Sequence, residues 1–237
     1  EVRLFARHLH AHDGVSEVPP DDLLPARGRR ATPYLYTSHE IAELMRATEI
    51  LRGSYVQATY RTLIGLLAAT GMRIGEAIGL DRDDFDADGG LVIIRHGKFD
   101  KARALPLHPT TVAALQDYLI REDRPNPAGM PALLISATGK RLRYTVVQPT
   151  FKKLLHHCGI TPRSATCRPR IHDLRHSFAV STIADDYRSG DPGSRLAILS
   201  TYLGHADPAD TYWYLSAAPE LLALAGERLE RHLAGDA

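Results

Sequence analysis

Across residues 37–233 the apolar positions recur at helical spacing, and the pattern turns β-like only over residues 91–95 and 102–107, after the turn Asp86-Ala87-Asp88-Gly89-Gly90. That pattern predicts a mainly α domain with a small antiparallel β-sheet, an α+β fold. Thr37 and Glu40 form a capping box, and Ile41, Leu44, Met45 and Thr48 give the stripe of a first helix. A second helix starts at Ser54, runs through Tyr60, Leu63, Ile64 and Leu67, and stops at Gly71, a natural left-handed cap. A short helix over 74–80 follows, and helical patterns resume at 110–121, 146–157, 172–184, 194–203, 208–217 and 219–233. No internal repeat is evident.

Upstream, Val2, Phe5 and Leu9 make a short helical stripe, the end of a helix whose partners lie elsewhere. Residues 13–36 carry Pro19, Pro20, Pro25 and Pro33 with the basic run Arg27, Arg29 and Arg30, and read as an extended linker. The compact domain is expected over 37–237. A chain of 237 residues buries a core without disulfide or metal staples. Cys158 and Cys167 are too few and too close for a secreted disulfide framework, which points to the cytoplasm. The most apolar stretch, residues 63–69, is far short of a membrane span.

The net charge of +1 hides a polarised distribution. Residues 140–175 hold nine basic residues against the single acid Asp173, so this segment carries +8 and the rest of the chain −7. A segment of that sign is either a phosphate-binding face or a solvated basic one. His172 and His176 in His-Asp-Leu-Arg-His stand i, i+4 as zinc-binding histidines do, but an aspartate sits where such enzymes need glutamate, and no third ligand follows at a known spacing. Cys158, Cys167 and the His156-His157 pair keep a structural zinc site open; the weight of the reading is against a metal.

Four segments stand in order: ATGMRIGEAIGL (69–80), HGKFDKARALPL (96–107), HDLRHSF (172–178) and YLGHADPADTYWY (202–214). In them the chain resembles the tyrosine recombinases, the family of phage integrases and of transposon and chromosome resolvases, over roughly residues 37–233. The resemblance implies that fold and a catalytic set of Arg73, Lys98, His172, Arg175, His205 and Tyr214. It also implies double-stranded DNA as partner, a tetramer of this chain or of related recombinases on that DNA, and no cofactor, metal, ATP or membrane. The family's N-terminal helical domain closes the other half of a clamp on DNA, and residues 1–36 would be its last helix plus the linker.

The chemistry fits those residue types. Cleaving a phosphodiester without a metal needs charge on the non-bridging oxygens, which the fork-shaped guanidiniums of Arg73 and Arg175 supply. A tyrosine with a pKa near 10 needs a base or a cationic pocket to attack at neutral pH, and His172 is the candidate base or phosphate-orienting group. The departing 5′ oxygen needs a proton, from Lys98 or its neighbour Lys101; the Gly-Lys pairing of the family favours Lys98. Tyr212 and Tyr214 turn to opposite sides of a helix, and spacing from His205 selects Tyr214. Glu76, three residues after Arg73, reads as its orienting partner. Arg143, Lys152, Lys153 and Arg170 are candidate DNA-backbone contacts. The connector over 185–193 is longer than in the simplest members, and the apolar stripe of the last helix, Leu221 to Leu233, is either core packing or a surface for a neighbouring subunit. A type IB topoisomerase, or a DNA-binding regulator without catalysis, are the alternative functions. If residues 140–175 line the DNA, neutralising Arg143, Lys152 and Lys153 together should flatten the salt dependence of binding, whose log-log slope is about −0.9 per neutralised phosphate. An unchanged slope in a salt titration places the DNA on another face.

Overall fold

The computed structural model describes residues 2–20, 23, 32–95, 102–189, 192–204, 211, 212, 214, 221–224, 226, 227 and 230. Two compact units are present, Glu1–Ala31 and Thr32–Ala237. In the first, α1 (Val2–Asp13) ends where the Asp13 carboxylate accepts the backbone N–H groups of Val15 and Ser16. Arg3 donates to the carbonyls of Pro19 at 3.1 Å and Pro20 at 2.5 Å. The first prolines therefore fold back on the helix instead of running as an extended linker, because one guanidinium ties two of their carbonyls to the first turn of α1.

The second unit begins at Thr32, upstream of the expected Thr37. Tyr34 and Tyr36 are buried; the Tyr34 hydroxyl donates to Glu40 at 2.5 Å and the Tyr36 N–H to Ser177 Oγ at 2.7 Å. The proline spacing marks a linker, but two large aromatics next to it bury too much apolar area to stay outside the core. Next, α2 (Ser38–Ala47) opens on the expected capping box, with Thr37 Oγ1 accepting from Glu40 N and Glu40 from Thr37 N.

The hub is α3 (Ser54–Thr70), which packs against α2, α5 (Pro109–Leu119) and α7 (Asp173–Ser189). It buries Tyr55, Tyr60, Leu63, Ile64, Leu66 and Leu67, more than one face. Between α3 and α5 lie the short α4 (Ile74–Gly79) and a three-stranded antiparallel sheet in the order β1 (Phe85–Asp86), β2 (Leu91–Ile94), β3 (Arg103–Pro106). The two predicted strands are joined by β1, and Ile94 pairs with Arg103 at the end of the ladder.

After α5 come α6 (Tyr144–His157), α7 and α8 (Pro192–Leu203). The expected long connector is largely helix: α7 continues to Ser189 and α8 opens on a proline, a residue suited to a first turn. An Asp186–Arg195 ion pair at 2.9 Å links the two helices. A main core gathers α2–α6 and the sheet, and a second cluster holds Ala179, Ile183, Leu199, Leu203, Tyr214 and Leu221. Helix α7 crosses between them, with Leu174 in the first and Ala179 in the second. Among the described residues no helix is long and apolar enough to cross a membrane.

Gly71 ends α3 at φ +60°, and a Cβ there would sit 2.4 Å from Phe178 Cδ1 and 3.1 Å from Leu203 Cδ2. Gly71→Ala adds left-handed strain of about 1–2 kcal/mol to an overpacking cost of about 1–3 kcal/mol. Urea unfolding should show a loss of about 2–5 kcal/mol, whereas Gly75→Ala, with no atom within 4 Å of the added carbon, should not approach it.

Candidate active site

Gly204 closes α8 at φ +69°. The last carbonyls of a helix lack intrahelical partners and carry partial negative charge, and three arginines from three elements satisfy them here. Arg103 of β3 donates Nε to Tyr202 O at 2.9 Å, Arg175 of α7 donates Nη2 to Leu203 O at 2.8 Å, and Arg73, before α4, donates Nη2 to Gly204 O at 3.2 Å. Arg175 also donates Nη1 to Gly71 O, at the end of α3, at 2.8 Å. Any Cβ at position 204 would fall 2.9 Å from Arg103 Nη1, so the glycine of Leu-Gly-His is required by close approach as well as by its backbone angle.

Guanidiniums this close repel one another, and Glu76 offsets the repulsion. Its buried carboxylate accepts the Arg73 N–H at 2.8 Å, Arg73 Nη1 at 3.0 Å, and both ends of the Arg103 fork at 3.0 and 2.8 Å. Burial opposes its ionisation, but the hydrogen bonds and charge of Arg103 and Arg73 outweigh burial and hold the carboxyl below the usual range. Arg175 is 3% exposed; burial and then Arg73 lower its pKa to about 10, so it stays cationic at neutral pH. His172, on the residue before α7, keeps solvent-exposed area, yet the protein around it withdraws water. That desolvation, with the charges of Arg175, Arg170 and Arg73, pushes its pKa down to about 4, so the ring is neutral at pH 7.

The two candidate nucleophiles separate clearly: Tyr214 is 2% exposed and Tyr212 58%. The Tyr214 hydroxyl lies 3.2 Å from His176 Nδ1, with ring centroids 5.5 Å apart. On the other side of that imidazole, Nε2 is 3.9 Å from Oδ1 of the buried Asp173. Arg170 grips Asp173 through its backbone N–H and through Nε and Nη2. Burial raises the pKa of Asp173, with Arg170 opposing. The ring of His172 meets His176 edge-on at 5.1 Å.

Arg73, Arg175 and His172 are thus gathered, with Tyr214 close enough to Arg175 to oppose in part the lowering of its pKa. Lys98, the competing Lys101 and His205 lie outside the described residues. Arg143, Lys152 and Lys153 are exposed along α6, while the Arg170 guanidinium is folded onto Asp173. Sequence reasoning paired Glu76 with Arg73 but missed Arg103, and it weighed His176 only as a metal ligand. The alternation of β3 puts Arg103 on the same face as the buried Leu105, a signal that was available. Nothing in the local sequence announces the His176–Tyr214 contact. Among the described residues, no three His, Cys, Asp or Glu side chains converge as a metal would need.

Comparison with known proteins gives the same direction. The profile of the phage integrase family matches residues 35–220. The chain is 42% identical to the integrase/recombinase y4rB of Sinorhizobium fredii, over 97% of this chain and 76% of that protein. It is 35% identical to the tyrosine recombinase XerD of Mycobacterium tuberculosis, over 89% and 67%. Its fold matches the XerH site-specific recombinase, bound to palindromic difH substrate in a post-cleavage complex, at a TM-score of 0.69 and 24% identity. That match covers 91% of this chain and 59% of the other, so this chain spans about three fifths of that protein.

The carboxylate at the centre of the arginines sets a pH signature. Glu76 has a folded-state pKa below the ordinary value of about 4.3, so its stabilisation is present above that value and lost as pH falls through the depressed one. Glu76→Gln should cost up to about 3–5 kcal/mol near neutrality, and the gap to the unaltered chain should close in acid. Unfolding curves across pH test this; a gap constant with pH assigns the loss to packing.

Proposed function

Because the chain belongs to the phage integrase family, we propose that it is a site-specific DNA recombinase that cuts and rejoins strands through a 3′-phosphotyrosyl intermediate. Tyr214 Oη gives up its proton to a neighbouring base and attacks the scissile phosphorus, the P–O5′ bond breaks, and the 5′ oxygen takes a proton from Lys98. A 5′-hydroxyl of the partner duplex then attacks the phosphotyrosine and releases the tyrosine. Two such rounds pass through a four-way junction held by a tetramer. The phosphotyrosine keeps the bond energy, so neither ATP nor a metal enters the scheme.

One observation carries this reading: three guanidiniums gather at one helix end beside a buried tyrosine, and the single carboxylate among them pairs with only two. A site with that surplus of positive charge is matched to an anion, and a guanidinium keeps its charge where a lysine or histidine would lose it. Arg73 and Arg175 are fixed by carbonyls before any substrate arrives, which is the preorganisation that stabilises a developing pentavalent phosphorus. His172, neutral at pH 7, serves as a hydrogen-bonding partner of a phosphate oxygen, and His205 as a second donor. The exposed Arg143, Lys152 and Lys153 give the DNA backbone a cationic approach.

The test is covalent capture on a nicked suicide duplex whose sequence is first selected from a random pool by the chain's own binding. The unaltered chain and Tyr212→Phe should form the adduct in excess EDTA, and Tyr214→Phe should form none while still binding DNA. Adduct formation by Tyr214→Phe, or cleavage that requires added magnesium or zinc, overturns the mechanism. Relaxed circles without recombinant joints would assign the same chemistry to strand resealing.

A further inference from the structure

We propose that His176, and not His172, takes the proton from Tyr214 during strand cleavage, with Asp173 orienting the imidazole and stabilising its protonated form. The inference rests on Tyr214 being the nucleophile. The geometry is a chain of three groups on two elements: carboxylate, imidazole and phenol, with Asp173 Oδ1 3.9 Å from His176 Nε2 and His176 Nδ1 3.2 Å from Tyr214 Oη. Asp173 and His176 are i, i+3 on α7, so they stand on one face of the helix, and all three side chains are buried.

A carboxylate facing Nε2 favours the tautomer with hydrogen on Nε2 and leaves Nδ1 as an acceptor toward the phenol. This is the arrangement in which a base is oriented by a third group. His172 is poorly suited to the same task. It is hemmed by Arg175, Arg170 and Arg73, its pKa is pushed down to about 4, and a base works best when its pKa lies near the operating pH. His176 faces Tyr214 on one side and the acid on the other.

The step balances as follows. The Oη–H bond of Tyr214 breaks and its proton moves to His176 Nδ1, while the Oη–P bond forms. The P–O5′ bond breaks and the 5′ oxygen is protonated by Lys98. On rejoining, the His176 imidazolium returns its proton to the departing tyrosine oxygen. Among the described residues, the charged and titratable groups around this chain include Arg170 and His172 beside its start, Arg175 on the same helix, Tyr36 from the segment before α2, and Arg73 behind Arg175.

Single-turnover cleavage of the selected suicide duplex, measured across pH, tests the assignment. His176→Asn places an amide where Nδ1 stood but accepts no proton. It should cleave about 10²- to 10⁴-fold more slowly at pH 7, and its rate should climb toward that of the unaltered chain as pH rises and hydroxide ionises the phenol. Fluorinated tyrosine of lower phenol pKa, placed at position 214, should rescue His176→Asn more than it speeds the unaltered chain. Melting temperature and non-covalent DNA binding establish that the variant folds; if it does not, His176→Gln takes its place in the same measurements. An equal rate, a faster rate, or a deficit constant with pH and unmoved by the fluorinated residue overturns the proposal, a faster rate marking the contact as a restraint on Tyr214. Adduct formation by the unaltered chain alongside any of these outcomes leaves the recombinase reading standing, whereas no adduct from the unaltered chain sinks both.

Discussion

The carbonyl end of α8 is the interaction on which the site depends. A helix terminus offers three oxygens that need donors, and guanidiniums from β3, α7 and the turn before α4 supply them. Each arginine is thereby held by something other than substrate. Glu76 then makes the gathering tolerable, since one carboxylate accepting four N–H groups screens two of the three positive charges. Removing any element of this set leaves a buried charge or carbonyl without its partner, which couples the shape of the site to the stability of the fold.

The same crowding divides labour between two histidines on neighbouring turns. His172, on the arginine side, is kept neutral and is suited to hydrogen bonding with an anion. His176, one turn on, lies against Asp173 and Tyr214. An i, i+4 pair that reads at first as a metal-binding signature is better explained by two separate environments. One faces the arginine cluster and the other faces the phenol.

Much of this was legible in the sequence. The capping box at Thr37, the glycine stop at Gly71, the hairpin over 91–107 and the pairing of Glu76 with Arg73 follow from local chemistry: periodicity, turn residues and side chains three apart. What escaped is non-local. Tyr34 and Tyr36 lie in a proline-bearing stretch and join the core through contacts that include Phe151 of α6 and Ser177 of α7, the latter 141 residues away from Tyr36. Arg103 finds Glu76 across 27 residues, and His176 finds Tyr214 across 38. Residues 185–189 extend a helix because α7 packs against α8, a tertiary preference that outweighs the low helix propensity of Asp185, Asp186 and Ser189.

The reach of these contacts also orders events during synthesis. Arg175 closes on Gly71 over 104 residues, and Arg73 on Gly204 over 131. Loops of that length are closed against chain entropy, and their contacts reward the chain only once both ends exist. A nascent chain that has emerged as far as α7 already carries most of its basic residues but has no α8 terminus to collect them. The arginine cluster is therefore among the last features to form, after the helical core that surrounds it. A ribosome-bound fragment consequently displays positive charge without an assembled cleft.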